Sequence, residues 1–336
     1  MAPVTVSPAS YNDNPALWTE LLRNDSLQYP FGTPLDQEYM RAYLPHLLFR
    51  DVSLIASASG RPVAGVQVTV HALPDGRQQI DFYGRPILLR RSREAATAIV
   101  EKAERMLADE FLRLRESLKF PRFHYLETCS LGRLSDFAVC LLRSGCTGAP
   151  VYKQMIDLRI GEENLRKDIR KSYRSCINWG EKNLTITVHD SQNTDPDIVE
   201  EFRQLHIAAA GRETRSPETW HLQYRQIIEK EAFLVTGRLE GKLVTAGLFN
   251  HSPCYCCYAV GASIRELFDK PLSHAVVWRS ILEARGRGCS LYEMGDLADL
   301  HAEGYSDKEK NIAIFKRGFG GAAFVQLRIG VVTIRL

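Results

Sequence analysis

The sequence lacks the features that mark export, a membrane span or a nucleotide-binding loop. Its first residues, MAPVTVSPASYNDNP, have neither a basic start nor an apolar core, so they do not read as a secretory signal. No apolar run approaches the ~20 residues needed to cross a bilayer. The expectation is a cytoplasmic protein, with peripheral membrane contact left open. Charge of one sign is not in excess either: 43 Lys and Arg stand against 40 Asp and Glu, a net of +3. That is too little for DNA binding through bulk charge, so an anionic partner must be met by a local patch. There is no G-x-S-x-G, no P-loop and no paired Cys/His ligand motif. Hydrolase, NTPase and metal chemistry therefore have no support in the sequence, and neither a metal nor a tightly bound cofactor is expected.

What is present is the composition of a folded protein. Hydrophobic residues make up 45% and charged residues 25% of the 336 positions, enough for about two domains of ~150 residues. Eight cysteines, Cys129, Cys140, Cys146, Cys176, Cys254, Cys256, Cys257 and Cys289, read as reduced thiols in a chain without an export signal. In Cys254-Tyr255-Cys256-Cys257 the alternation of a strand puts Cys254 and Cys256 on one face and Cys257 on the other, which suits core packing.

Periodicity and punctuation give an α/β order that occurs twice. In the first half, helices are expected over Pro15–Leu22 and Leu35–Leu47, and strands over Val52–Ala58, Val63–Ala72 and Gln79–Tyr83. A long helix follows over Ser92–Ser117, then a strand over Phe123–Glu127 and a helix over Leu134–Leu142. Pro150–Ile160 reads as a strand that carries the chain across. The second half begins with a basic helix over Glu162–Trp179 and a strand over Leu184–His189, then helices over Pro196–Ala210 and Pro217–Lys230. Three strands follow, Phe233–Leu239, Leu243–Asn250 and Tyr255–Gly261, then a helix over Leu272–Arg285 and a strand over Ser290–Met294. Phe324–Ile329 and Val331–Arg335 close the chain. The expectation is two similar domains, residues 1–152 and 153–336, with the last strand able to pack back on the first. No low-complexity linker separates them.

The stretch LYEMGDLADLHAEGYSDKEKNIAIFKRGFGG (Leu291 to Gly321) holds the densest signals. Ser306 with Glu309 three residues on is a capping-box spacing that starts a helix. That helix ends on Lys316 and Arg317, cations suited to its negative end and to an anionic ligand, and Gly318, Gly320 and Gly321 allow sharp turns or a close approach. Asp296 lies just past a strand end, where α/β sheets commonly keep their ligand crevice. A second basic loop follows Gly211, with Arg212 and Arg215. In LRKDIRKSYRSCINWGEK, Arg166, Arg170 and Arg174 recur every four residues, the spacing of one helix face. Charge alone fits both a phosphate-holding stripe and a solvated face. His206, His274 and His301 are conceivable bases without a carboxylate partner legible in the sequence.

Together these stretches resemble the FemAB-like acyltransferases, a GNAT branch with two tandem GNAT-like domains, over most of the chain. The resemblance runs from the Gly84-Arg85-Pro86 turn before the long helix through LLRSGCTGAPVYKQMIDL (Leu141 to Leu158). It is closest in LRKDIRKSYRSCINWGEKN, where Arg174 and Lys182 match the family's Arg and Lys. It then continues at Arg212 and ends on Gly295-Asp296 and FKRGFGG, with Lys316 at the family's lysine. It implies a mixed, largely antiparallel α/β fold in two GNAT-like domains. It also implies transfer of an acyl or aminoacyl group from charged tRNA or acyl-CoA, as co-substrate, to the amine of a cell-envelope, sugar or natural-product acceptor.

By the same resemblance Lys316 would face the transferring carbonyl or the terminal phosphate of tRNA, and Arg174 and Arg212 would hold phosphates. Asp296 would orient the acceptor amine or take its proton, and Glu127 is a second candidate base. Arg215, Arg317 and Lys182 complete the expected substrate-binding set. The sequence departs from acetyl-CoA-using relatives at ELFDKPLSHAVVWRS, which has no glycine where they carry a pyrophosphate loop, and it has no room for a long helical-hairpin arm. An acyl-CoA-dependent N-acetyltransferase and a catalytically silent GNAT-fold binding protein are the alternatives.

Overall fold

The computed structural model describes residues 3–119, 121–128, 133–298 and 304–330. The expected strand Val331–Arg335, His301 and Cys129 lie outside them. The described residues fall into two compact units: 3–28, 32–151 and 325–330 in one, 29–31 and 152–324 in the other.

In the first unit, β1 (Val4–Pro8), α1 (Pro15–Arg23), α2 (Pro34–Tyr43), β2 (Arg50–Asp51), β3 (Leu54–Ala58), β4 (Arg61–Gln67), β5 (Thr69–Ala72), β6 (Gln78–Asp81) and β7 (Leu88–Arg91) precede α3 (Thr97–Ser117), β8 (Arg122–Thr128) and α4 (Asp136–Arg143). Strands β1, β3, β4 and β7 form an antiparallel sheet. Strands β2, β5 and β6 pair in series, and β6 lies parallel to β8. Ala103, Leu107, Ala108 and Phe111 are spaced to line one face of α3. They bury it against Phe123 and Phe137, with the Phe111 and Phe123 rings edge to face at 5.0 Å.

The long helix starts later than its spacing predicts. The Ser92 amide is donated to Val63 O and the Arg93 amide to Asn24 O, so these residues are tied to β4 and the end of α1 instead of opening a helix. β7 itself is not legible in the sequence, because Arg90 interrupts its apolar pattern. In the structure Arg90 is 1% exposed and donates to Gln67 (2.8 Å) and Asp25 (2.9 Å).

β9 (Thr147–Asp157) carries the chain into the second unit. There α5 (Glu162–Asp168), α6 (Lys171–Asn183), β10 (Thr185–His189), α7 (Pro196–Ala210), α8 (Pro217–Ile228), β11 (Ala232–Leu239), β12 (Lys242–His251), β13 (Tyr255–Ser263), α9 (Leu272–Gly286), β14 (Leu291–Leu297) and α10 (Asp307–Arg317) lead to β15 (Ala322–Gly330). The last residues of β15, Gln326 to Gly330, pair antiparallel with β8 of the first unit. The sheet order is β10-β11-β12-β13-β14-β9, antiparallel except between β13 and β14. That parallel pair, joined through α9, lasts three residues, Tyr255–Cys257 against Leu291–Glu293. Beyond it β13 stays on β12 to Ser263 and β14 stays on β9 to Leu297, so the two strands part.

Cys256 faces the main core with Phe249, Tyr292 and Met294, while Cys257 faces a smaller cluster with Tyr255 and Met155, as the strand alternation predicts. His251, at the end of β12, leans on Phe233 with its ring Nε2 buried and, among the described residues, without a hydrogen-bond partner. Burial, reinforced by Arg287, pushes its pKa down to about 4. The unfolded chain therefore binds the proton first. Stability should fall as pH drops from about 6.5 through about 4, by at most ~1.4 kcal/mol per pH unit from this residue. Chemical denaturation at several pH values should show this slope, and His251→Phe should flatten it.

One expected element is broken. The basic helix over Glu162–Trp179 is two helices, because Ile169 (ψ 136°) and Arg170 (ψ 136°) are extended. The Arg170 amide is donated to Gly318 O at 3.0 Å instead of continuing α5. The four-residue spacing of Arg166, Arg170 and Arg174 therefore does not make one face. Arg166 pairs with Glu181 and Asn178 and lies over Trp278, 5.1 Å from the ring centre.

Candidate functional site

The candidate site lies in the second unit, where β14 leaves β13. Glu293 is opposite Met155 of β9, but Gly295 is already opposite Gln154, so β14 carries one extra residue there. Gly295 adopts φ +91°, which glycine takes at little cost. The bulge has a chemical consequence. Residues three apart on a regular strand face opposite sides. Here Glu293 and Asp296 face the same side, because the extra residue shifts the alternation between them. Lys153 of β9 meets both: its Nζ donates to Glu293 Oε1 at 2.6 Å and lies 3.8 Å from Asp296 Oδ1.

Lys153 and Glu293 are buried, with side chains 9% and 8% exposed, whereas that of Asp296 is 75% exposed. Burial pulls the Lys153 ammonium down, but the hydrogen-bonded Glu293 more than offsets this and holds it above its ordinary value. The Tyr255 hydroxyl donates to the second Glu293 oxygen at 2.6 Å, and the Cys257 thiol is directed at the same oxygen from 3.9 Å. Burial and the adjacent Glu293 push the Tyr255 hydroxyl well up, so it remains a donor. Tyr29 and Phe31 pack beside Tyr255, with the Tyr29 and Tyr255 rings 5.1 Å apart, and give the charged cluster an aromatic flank.

Lys316 enters from α10, whose start is fixed by the expected capping box: the Ser306 hydroxyl accepts the Glu309 amide, and Glu309 accepts the Ser306 amide. Its Nζ donates to Asp296 O at 2.6 Å. A Cβ on Gly295 would stand 3.1 Å from that Nζ, so the glycine also makes room for the lysine. Burial lowers the pKa of Lys316. Asp296 and Glu293 oppose that shift, and Lys153 adds to it.

The glycine-rich exit of α10 packs on the protein itself. A side chain at Gly318 would overlap the Tyr173 ring, one at Gly320 would stand 2.6 Å from the Asp168 carboxylate, and one at Gly321 would overlap Met155 O. The Gly321 amide is donated to Asp168 at 2.6 Å, and Gly320 O accepts from Gln154 at 2.5 Å. Phe315 and Phe319 close around His274, which meets Tyr173 edge to face at 4.5 Å. Burial depresses the pKa of His274. The exit is thus a socket that fixes Lys316. It also brings the first turn of α6, with Arg170, Lys171 and Arg174, next to the end of α10, with Lys316 and Arg317. Arg170, Lys171 and Arg317 are exposed and Arg174 is half-buried.

The other expected residues lie elsewhere. Lys182 is exposed in the last turn of α6. Arg212 is exposed after the left-handed Gly211 that ends α7. Arg215 approaches His206 (3.1 Å) and stacks near Trp220. Glu127 belongs to the first unit, where it is 2% exposed. It accepts the Ser135 amide (2.9 Å) and hydroxyl (2.8 Å) and the Tyr125 hydroxyl, with Arg91 at 3.7 Å, so its described contacts hold the start of α4. Lys153, Glu293 and Tyr255 were not singled out from the sequence. The available signal was a lone charge inside an apolar strand, Lys153 in VYKQMID and Glu293 in LYEMG.

These elements define a mixed α/β fold shared with solved structures of low sequence identity. Among solved structures it is similar to FemX, with TM-score 0.70 and 13% identity over 91% of this chain and 94% of that one. It is also similar to the C-terminal domain (DUF2156) of a putative lysylphosphatidylglycerol synthetase from Agrobacterium fabrum, with TM-score 0.60 and 13% identity over 94% and 90%. A third likeness is to L-PGS from Bacillus licheniformis, with TM-score 0.54 and 12% identity over 89% and 92%. No family model matches the sequence, and no curated protein matches it. Among the described residues no helix is long and apolar enough to cross a membrane.

Proposed function

We propose that the chain is an N-acyltransferase that moves an acyl or aminoacyl group from an activated donor to an amine. The observation that carries this reading is Lys316, a half-buried cation fixed at the Gly295 bulge beside two carboxylates, at the point where β13 and β14 separate. An ester or thioester carbonyl needs little activation. It needs an aligned amine and a donor for the charge that develops on oxygen, and no covalent nucleophile is required. In this reading Lys316 stabilises the oxyanion. Arg174 and Arg317, with Arg170 and Lys171, meet the donor's phosphates, and Asp296, open to solvent, orients the acceptor amine. Arg212, Arg215 and Lys182 would meet more distant parts of a large donor, and Glu127 serves α4.

Aminoacyl-tRNA is the preferred donor over acyl-CoA. The turn into α9 has no glycine, and the Leu272 amide is donated to Lys270 O. One of the backbone donors that a pyrophosphate would need is therefore already used. The acceptor in this reading is the amine of a cell-envelope, sugar or natural-product molecule.

Binding of the purified protein to charged tRNA and to acetyl-CoA, side by side at two salt concentrations, tests the donor. The expected result is charged-tRNA binding that weakens steeply with salt, and weaker or no CoA binding. CoA binding alone would overturn the donor assignment. Binding to neither would favour a non-catalytic GNAT-fold protein.

A further inference from the structure

We propose that Glu293 is the proton acceptor of this site and that Lys153 and Tyr255 are its positioning residues; the proposal rests on the acyltransferase reading. Nothing in strand packing calls for a charged pair at these positions. A buried ion pair is often no more stabilising than apolar side chains of the same size, so its place beside Lys316 points to chemistry. The bulge converges both carboxylates on this spot, but they differ in setting. The Asp296 side chain is three-quarters exposed and Glu293 is shielded. A shielded carboxylate held from two sides offers a proton a defined place without competition from bulk water. Glu293 Oε2 takes Tyr255 and, weakly, Cys257, while Oε1 takes Lys153; a carboxylate oxygen has two lone-pair sites, so Oε1 is the oxygen placed to accept a proton. The charged and titratable groups around it are Lys153 from β9, Tyr255 and Cys257 from β13, Asp296 from its own strand and Lys316 from α10.

The step balances as follows. The amine lone pair attacks the acyl carbon and the carbonyl π pair moves onto oxygen, where Lys316 holds it. The amine's proton passes to Glu293. As the C=O re-forms, the ester C–O bond breaks, or the C–S bond of a thioester, and the leaving oxygen or sulfur takes the proton back from Glu293. The products are an amide and an alcohol or thiol, and the carboxylate is restored.

The test is the split between kcat and donor KM for the full chain, with mixed aminoacyl-tRNA and acetyl-CoA as donors and ethanolamine, glucosamine and an alanyl peptide as acceptors. Glu293→Gln is expected to lower kcat about 100-fold or more with donor binding unchanged. Lys153→Met is expected to lower kcat by about 10-fold or more while the donor KM stays unchanged, because the carboxylate loses the contact that aims it, and Lys153→Arg is expected to recover most of that loss. If Glu293→Gln does not fold, Glu293→Asp serves instead, with an expected loss of about 10-fold in kcat from a retracted base. An unchanged kcat in the folded Glu293 variant would overturn this inference and leave the acyltransferase reading in place. Absence of transfer by the unaltered protein with every donor and acceptor would overturn that reading, and this inference with it.

Discussion

Replacing Lys316 with alanine is expected to lower kcat for acyl transfer by about 10²–10³-fold, the usual loss when one oxyanion donor is removed from a preorganised site. Its partners support a role in charge stabilisation. Among the described residues the ammonium is anchored on a backbone carbonyl, Asp296 O, and not in an ion pair, so part of its field remains for a ligand. α10 is fixed at both ends, by the Ser306–Glu309 box and by the glycine socket on Asp168 and Tyr173, so the lysine need not reorganise during the reaction. Lys316→Arg should recover only part of the rate, because a longer, planar head cannot keep the single donor where the ammonium Nζ meets Asp296 O beside Gly295. Donor binding by Lys316→Ala should weaken far less than kcat falls. Weaker donor binding with kcat unchanged would assign the lysine to ground-state binding.

The second large effect concerns stability. Lys153→Met should destabilise the protein by about 3–5 kcal/mol, because it leaves Glu293 buried without its cation. The double variant Lys153→Met with Glu293→Leu should recover most of that loss, because a packed apolar pair is close to neutral in such a place. The recovered protein should nevertheless be catalytically dead. Stability from denaturant unfolding and turnover, measured on the same three proteins, would separate the two roles. If the double variant were as unstable as the single, the pair would be needed for the fold itself.

The two effects arise from residues of very different legibility. Lys316 is visible in the sequence, since a capped helix ending in Lys-Arg before three glycines is a local pattern. The capping box, the helices over Pro196–Ala210 and Pro217–Ile228 and the strands around Cys256 are likewise local, and their patterns forecast them closely. The α5–α6 break is not, because what ends α5 is Gly318 O, about 150 positions away in the chain, accepting the Arg170 amide. The pairing of Lys153 with Glu293 is likewise a matter of strand register. It depends on the one-residue bulge at Gly295, which no spacing within β14 announces. The glycines after Arg317 were legible as positions of close approach. What they approach, Tyr173, Asp168 and Met155, was not.

The most direct measurement is the chemical fate of the acyl group. Protein mixed with labelled aminoacyl-tRNA and a pool of amine acceptors should convert label from a base-labile ester to a base-stable amide, and Lys316→Ala should leave it as ester. Label that stays base-labile with the unaltered protein across the acceptor pool, or that becomes amide equally with Lys316→Ala, would contradict the assignment of this site to acyl transfer.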